Sequence, residues 1–235
     1  MTTETANIVI LTGAGISAES GLGTFRDKDG LWTKYNLEDV ATPEGFARNP
    51  ELVLNFYNAR RENCLNAEPN AAHFALARLE ADHRGDVLIV TQNVDDLHER
   101  AGSKSVWHMH GQLNRALCAN CSNRWDAPKV MDVSHPCPSC GVPAARPDVV
   151  WFGEMPYLME DIETRLATAD LFVSIGTSGS VYPAAGFALE AKTAGAECLE
   201  LNLEPSDTPG SFDDSRFGPA TKIVPQWVTE ILAPK

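Results

Sequence analysis

The stretch that decides the fold is NIVILTGAGISAESGLGTFRD, Asn7 to Asp27. Asn7–Thr12 is an apolar, β-branched run suited to a central strand. Gly13, Gly15 and Ala18 follow in the G-x-G-x-x-A spacing of a dinucleotide site. Such glycines let the backbone turn tightly and approach a pyrophosphate, and the helix start behind them offers unpaired N–H groups to its charge. Taken alone, the spacing is also that of an ordinary Gly-rich turn from strand to helix. Its continuation is less ordinary: Ser17, Glu19, Ser20, Thr24, Phe25 and Arg26 extend a polar loop where a plain Rossmann turn becomes helix.

A second stretch carries comparable chemistry. Val87–Thr91 reads as a buried parallel strand, and TQNVDDLHERAG begins at its carboxyl end. Open α/β sheets bind ligands beyond that end of their strands. Gln92, Asn93, Asp95, His98 and His110 are therefore offered to one crevice. The plainer reading makes Asn93 and Asp95 caps of the helix beginning DDLHER, with Asp96 the better cap candidate. It gives His98 and His108 structural roles, and on spacing alone His110 as well. Further strands are expected at Ser105–His108, Leu171–Ile175, Glu197–Leu201 and Lys222–Val224, and helices at Asn70–Asp82, Met159–Ala169 and Ala184–Ala194. Alternating strand and helix implies an α/β fold, a Rossmann-like, doubly wound parallel sheet.

Two segments interrupt that alternation. Lys28 to Ala67 reads as a helical insertion, and Leu113 to Ala145 holds two C-x-x-C pairs, Cys118 with Cys121 and Cys137 with Cys140, fifteen residues apart. Two such knuckles place four thiolates around one tetrahedral zinc ion, and a site filled by protein ligands alone is structural. Two disulfides are the alternative. The start, MTTETANIVIL, carries no basic region or cleavage site of an export signal, so a cytoplasmic, reducing setting is expected and thiols are favoured. Cys64 and Cys198 stand alone and read as small buried hydrophobes.

Within the helical insertion, Asn49 and Pro50 make a helix start, a cap followed by a first-turn proline. ELVLNFYNARRENCL continues it, so Tyr57 and Arg60 share a face. A phenol beside a guanidinium can grip a carboxylate. Arg61 is an alternative anchor at the next spacing, and an ordinary surface pair is the plain alternative.

Composition sets the outer limits. The chain has 235 residues, 43% of them hydrophobic, enough for one large domain with a smaller lobe. No apolar run approaches the ~20 residues of a membrane span. A net charge of −13 argues against nucleic acid as a partner and suits basic, lysine-bearing proteins.

Taken together, GAGISAESG, TFRD, TQNVDDLH, HMHG, CANC with CPSC, GTS at Gly176 to Ser178 and NLEPS at Asn202 to Ser206 resemble the sirtuin family of NAD-dependent protein lysine deacylases, in family order from Gly13 to Ser206. VVWFGEMP and VYPAAGF are similar to its bacterial, desuccinylase-like branch. One departure is Gly23, where many members carry proline; it loosens the loop but removes no chemical group.

The resemblance implies NAD+ as co-substrate, one structural zinc ion and acylated-lysine proteins as partners. It implies a Rossmann-like domain of residues 1–27, 68–112 and 146–235, with 28–67 and 113–145 packed together as the small domain and the active cleft between them. His110 takes the place of the catalytic base. In the implied reaction the acyl oxygen attacks C1′ of the nicotinamide ribose, and His110 deprotonates a ribose hydroxyl in the next step. The products are nicotinamide, free lysine and 2′-O-acyl-ADP-ribose.

Gly13, Ala14, Gly15, Ser17, Glu19, Thr24 and Trp32 fall on the family's cofactor loop, with Phe25 and Arg26 over the reacting face. Asn93 and Asp95 fall where nicotinamide's carboxamide binds, and Gln92 where the ribose does. Gly176, Thr177 and Ser178 match its phosphate and ribose contacts, Asn202, Leu203 and Glu204 the adenosine ribose, and Ala220 a backbone contact to adenine. Val150, Phe152, Gly153 and Val181 lie on loops that clamp a substrate peptide as an added strand, although Trp151 and Phe152 also suit a core. Tyr57 and Arg60 match the pair that recognises succinyl- or malonyl-lysine, with Ala41 leaving room for the acyl chain. A protein ADP-ribosyltransferase and a catalytically silent NAD- and zinc-binding module are the alternative functions; intact His110 and Asn93 speak against the silent one.

Overall fold

The computed structural model describes residues 5–23, 35–208 and 210–233. Its large sheet runs in the order Val106–His108 (β3), Val87–Thr91 (β2), Ile8–Thr12 (β1), Leu171–Ile175 (β7), Glu197–Asn202 (β8) and Asp214–Phe217 (β9). Every pairing in it is parallel. β1 and β2 are buried along their whole length, which is why both read as continuous apolar runs rather than alternating ones. Ile8, Ile10 and Ile89 face one side and pack against Ala71–Asp82 (α5) and Ala220–Leu232 (α9). Val9, Leu11 and Phe172 face the other, against Met159–Leu166 (α7) and Phe187–Ala194 (α8). Each such side chain, fully buried, contributes roughly 1.5–3 kcal/mol.

The register fixes the working edge. Thr12 lies level with Thr91 on one side and Ile175 on the other. The residues that follow, Gly13, Gln92 and Gly176, therefore emerge at one edge of the sheet. The turns there touch: a Cβ on Gly15 would sit 2.7 Å from the Gly176 Cα, and Gly176 itself has φ +62°. Only glycines allow that approach.

The small lobe is an antiparallel sheet, Arg124–Asp126 (β5), Gly111–Cys118 (β4) and Ala145–Val149 (β6), packed on Leu37–Val40 (α2), Pro43–Arg48 (α3) and Pro50–Asn66 (α4). α4 begins as its sequence predicts, with the Asn49 side chain accepting from the Leu52 N–H and Pro50 in the first turn. Asn58 exchanges two hydrogen bonds with the Met131 backbone, and Arg61 donates to the Leu113 carbonyl at 2.7 Å. The cysteine-bearing ribbon is thereby bolted to α4, and Arg61 is spent on that junction. Among the described residues no helix is long and apolar enough to cross a membrane.

Three sequence expectations are corrected. Lys222–Val224 is not a strand but part of α9, where Val224, Trp227 and Val228 form a buried helical stripe. The sheet's last strand is instead Asp214–Phe217, a mostly exposed edge strand with no apolar run to announce it. Asp96 occupies the N-cap position of Leu97–Ala101 (α6) without a side-chain bond; Asp95 Oδ1 accepts the Leu97 N–H instead, at 3.2 Å. Cys64 is only half-buried, whereas Cys198 is buried as expected.

Candidate functional site

A cleft of about 1020 Å³ opens between the sheet edge and the small lobe. Gly13, Ala14, Gly15, Ser17 and Glu19 line one end, with Gly176, Thr177 and Ser178 facing them. Asn202, Leu203, Glu204 and Ala220 continue that wall. Gln92, Asn93, Asp95 and His110 form the middle. Ala41, Tyr57, Arg60, Val150, Phe152, Gly153 and Val181 bound the far side. Thr24, Phe25, Arg26 and Trp32 lie outside the described residues.

The middle of the cleft is a dense polar network. Asn93 Nδ2 donates to the Gly13 carbonyl at 3.1 Å and to Ser17 Oγ at 3.2 Å. Ser17 Oγ donates in turn to Asp95 Oδ2 at 3.2 Å. Burial raises the Asp95 carboxyl pKa against the bonds it accepts from Leu97 and Ser17. His73 Nδ1 accepts the Asn70 N–H, so in the neutral ring Nε2 bears the proton that faces Ser17 Oγ at 3.4 Å. His73 was not anticipated as part of this site. Its only local trace is the helix cap it completes, and its partner is 56 residues away.

Two neighbouring histidines are shifted in opposite directions. His108 Nδ1 faces the Asn93 carbonyl at 3.1 Å and Nε2 faces Glu99 at 2.6 Å. Two acceptors require two protons, and although burial works against the charged ring, the Glu99 carboxylate raises its pKa overall. Among the described residues the His110 ring has one hydrogen-bond partner, the Gln92 carbonyl, at 3.2 Å from Nδ1. A carbonyl only accepts, so Nδ1 carries the proton and Nε2 keeps its lone pair. Burial lowers the His110 pKa, so the ring is neutral near pH 7 and equipped to take a proton. His98, fully buried against Thr12 Oγ1 at 3.0 Å, is structural as expected.

Glu19 has a second occupation. Its carboxylate accepts both the N–H and the hydroxyl of Thr221, capping α9 and holding Ala220 at the cleft wall. Asn202 Nδ2 donates to the Thr177 carbonyl at 2.7 Å, which ties the two polar turns together. These cross-links fit the wall to a dinucleotide: glycine turns for close approach, hydroxyls and amides beside them, and a volume to match.

Across the cleft, Tyr57 and Trp151 are both 2% exposed, which puts Trp151 in the core, while Phe152 is 49% exposed and lines the cleft. Arg60 stacks its guanidinium 5.5 Å from the Tyr57 ring centroid. Gly111, with φ +80°, brings β4 so close to β6 that a Cβ would collide with the Asp148 carbonyl. The same junction lets Val150 donate to the His110 carbonyl at 2.9 Å. Cys64 reaches the cleft wall, but burial pushes its thiol up to about 12 and leaves it unreactive.

The four ribbon cysteines bring their sulfurs within 4.8 Å of one another. Cys118–Cys140 and Cys121–Cys137 approach to 3.7 Å. A disulfide needs about 2.05 Å, whereas zinc bonds of about 2.3 Å give a tetrahedral edge of about 3.8 Å. The donor set fits a structural metal ion.

Known proteins place this architecture. The chain is 57% identical over 230 residues to the NAD-dependent protein deacylase of Caulobacter vibrioides, covering 96% of this chain and 97% of that one. A Sir2 homologue solved in complex with NAD superimposes with a TM-score of 0.90 at 40% identity, covering 99% of this chain and 93% of the other. A Sir2 protein bound to an acetylated peptide gives 0.84 at 29% identity, over 97% and 94%. The Sir2 family model matches residues 13–183, from the first glycine turn through the loop ending at Pro183, and the chain belongs to that family.

Proposed function

We propose that this protein is an NAD-dependent protein deacylase that prefers acyl groups ending in a carboxylate, succinyl- and malonyl-lysine, and also removes acetyl groups. The observation that carries this reading is one cleft joining a glycine cradle, a half-buried neutral imidazole and the Tyr57–Arg60 pair. NAD+ supplies the glycosidic bond whose cleavage, with loss of nicotinamide, lets C1′ of its ribose receive the acyl oxygen.

The rest falls to the chain's own residues. The Gly13–Gly15 turn and Gly176–Ser178 hold the diphosphate, and Asn202 to Glu204 with Ala220 hold the adenosine end. Asn93 and Asp95, fixed through Ser17, grip the nicotinamide carboxamide, and Gln92 meets its ribose. His110 Nε2 takes the ribose hydroxyl proton; the Gln92 carbonyl keeps the ring in the tautomer that permits it. Val150, Gly153 and Val181 clamp the peptide backbone, Phe152 covers it, and Ala41 leaves space for the acyl chain. The Tyr57 phenol and Arg60 guanidinium bind the terminal acid. A cytoplasmic setting suits such a substrate range.

The test is to assay succinyl- and acetyl-lysine peptides on the wild type and on Arg60→Met. Loss of one hydrogen-bonded cation should cut desuccinylation by ~10- to 100-fold, in line with ~1.5–3 kcal/mol for a bond to a charged group. The ratio of succinyl to acetyl kcat/KM falls with it. Equal losses on both peptides would mean that Arg60 supports the cleft generally, and the acid-selective reading would be abandoned.

A further inference from the structure

Tyr57 carries an arrangement that the acid-binding reading does not by itself require. Its hydroxyl oxygen accepts a hydrogen bond from Trp151 Nε1 at 3.0 Å, across 94 residues of chain. An indole N–H can only donate, so the direction of this bond is fixed. Arg60 and Arg146 also stand near the phenol, and Trp151, Arg60 and Arg146 each oppose the rise in its pKa that burial causes. The net shift is upward, so the phenol stays protonated. Among the described residues its oxygen meets donors, and none supplies an acceptor for its own hydrogen.

The indole is held firmly in place. Arg146 Nη1 and Nη2 grip the two Glu154 carboxylate oxygens at 2.6 and 2.9 Å, and Nη2 also donates to the Val149 carbonyl. The Arg146 guanidinium carbon lies over the Trp151 ring, 3.5 Å from its centroid. Glu154 Oε2 accepts the Trp151 backbone N–H at 2.8 Å. Phe46 packs on the indole at 5.2 Å, and the next residue, Phe152, donates its N–H to the Ala41 carbonyl. Ring and backbone are thus both clasped, and the positive charge of Arg146 is balanced by Glu154 rather than offered to the cleft.

We propose that Trp151 is a positioning residue for acid selectivity: its indole N–H occupies the Tyr57 oxygen, so the phenol hydrogen is directed to the acyl carboxylate as a second donor beside Arg60. An acetyl group has no acceptor there and gains nothing from it. This rests on the acid-selective reading above, and its test keeps the two apart.

Succinyl and acetyl peptides are assayed on wild type, Trp151→Phe, Tyr57→Phe and the double variant, with Arg60→Met in parallel. Trp151→Phe should lower the succinyl-to-acetyl ratio of kcat/KM about 3- to 10-fold, mainly through KM, the size of one neutral hydrogen bond. In the Tyr57→Phe background it should lower the ratio no further, because the phenol it aligns is gone. Additive effects, or equal losses on both peptides, would reduce Trp151 to packing and overturn the proposal. A ratio that collapses in Arg60→Met but holds in Trp151→Phe overturns the role of Trp151 alone. A ratio unmoved by Arg60→Met removes the underlying reading as well. If phenylalanine at 151 unfolds the lobe, benzothienylalanine, which replaces the indole N–H by sulfur at equal size, should give the same drop in ratio; an unchanged ratio would overturn the proposal.

Discussion

The two walls of the cleft are built by different means. On the sheet side, chemistry comes from backbone turns and short polar side chains placed by the β1–β2–β7 register, and the approach at Gly15 and Gly176 leaves no room for a Cβ. On the small-lobe side it comes from long side chains, Tyr57, Arg60 and Trp151, set by aromatic packing and one clasped arginine. Under the proposed function the first wall serves every substrate, while Tyr57 and Arg60 on the second meet only the acyl end, where substrates differ. That reading expects acyl preference to change by substitution at those side chains while the reaction stays intact.

The largest effect should come from the shared wall. His110→Ala removes the positioned base and should cost ~100- to 10,000-fold in rate, on succinyl and acetyl substrates alike, with NAD still bound by the untouched glycine turns. Wild-type turnover would contradict the assignment. Its pH dependence carries a sign: burial depresses the His110 pKa below 6.5, so the neutral base persists through that pH. The acid limb of kcat should fall below it rather than above.

Next comes the zinc ribbon, which reaches the second wall through Asn58–Met131 and Arg61–Leu113. Metal analysis should find zinc near one per chain. Cys118→Ala should release it and lower the melting temperature, since a structural site contributes folding energy directly. A protein purified without zinc, or a variant as stable as the wild type, would break the link.

The smallest effect separates the two histidines. Glu99 raises the His108 pKa, so its contribution to stability is full below the unfolded histidine value and is lost as pH rises through the folded one. Glu99 is partly exposed, and Glu99→Gln should cost at most about 1 kcal/mol. Denaturant titrations should show that difference below pH 6.5 and see it fade at alkaline pH. A pH-independent cost would deny the ion pair.

These walls also differ in how far sequence reveals them. The sheet side is legible because strand ends and glycine spacings are local, and Gly13, Gln92, Asn93, Asp95 and Gly176 all reach the cleft they were expected to share. The exposed edge strand Asp214–Phe217 carries no apolar run. Lys222–Val224, with two β-branched residues just before Pro225, reads as a strand, whereas Val224 in fact opens a helical stripe that continues through Trp227 and Val228. On the lobe side, helix spacing puts Tyr57 and Arg60 on one face but leaves Arg61 open, and the family resemblance selects Arg60; Trp151, the partner of Tyr57, lies 94 residues away and joins it only in three dimensions. Asp95 capping α6 in place of Asp96 is a matter of side-chain direction that spacing leaves open.

The central claim is that one cleft couples NAD cleavage to removal of a lysine acyl group. Mass spectrometry of a reaction containing the protein, NAD+ and a succinyl-lysine peptide tests it most directly. The account predicts equal amounts of nicotinamide, free-lysine peptide and succinyl-ADP-ribose. ADP-ribose attached to protein, or unchanged NAD+ and peptide, would contradict it.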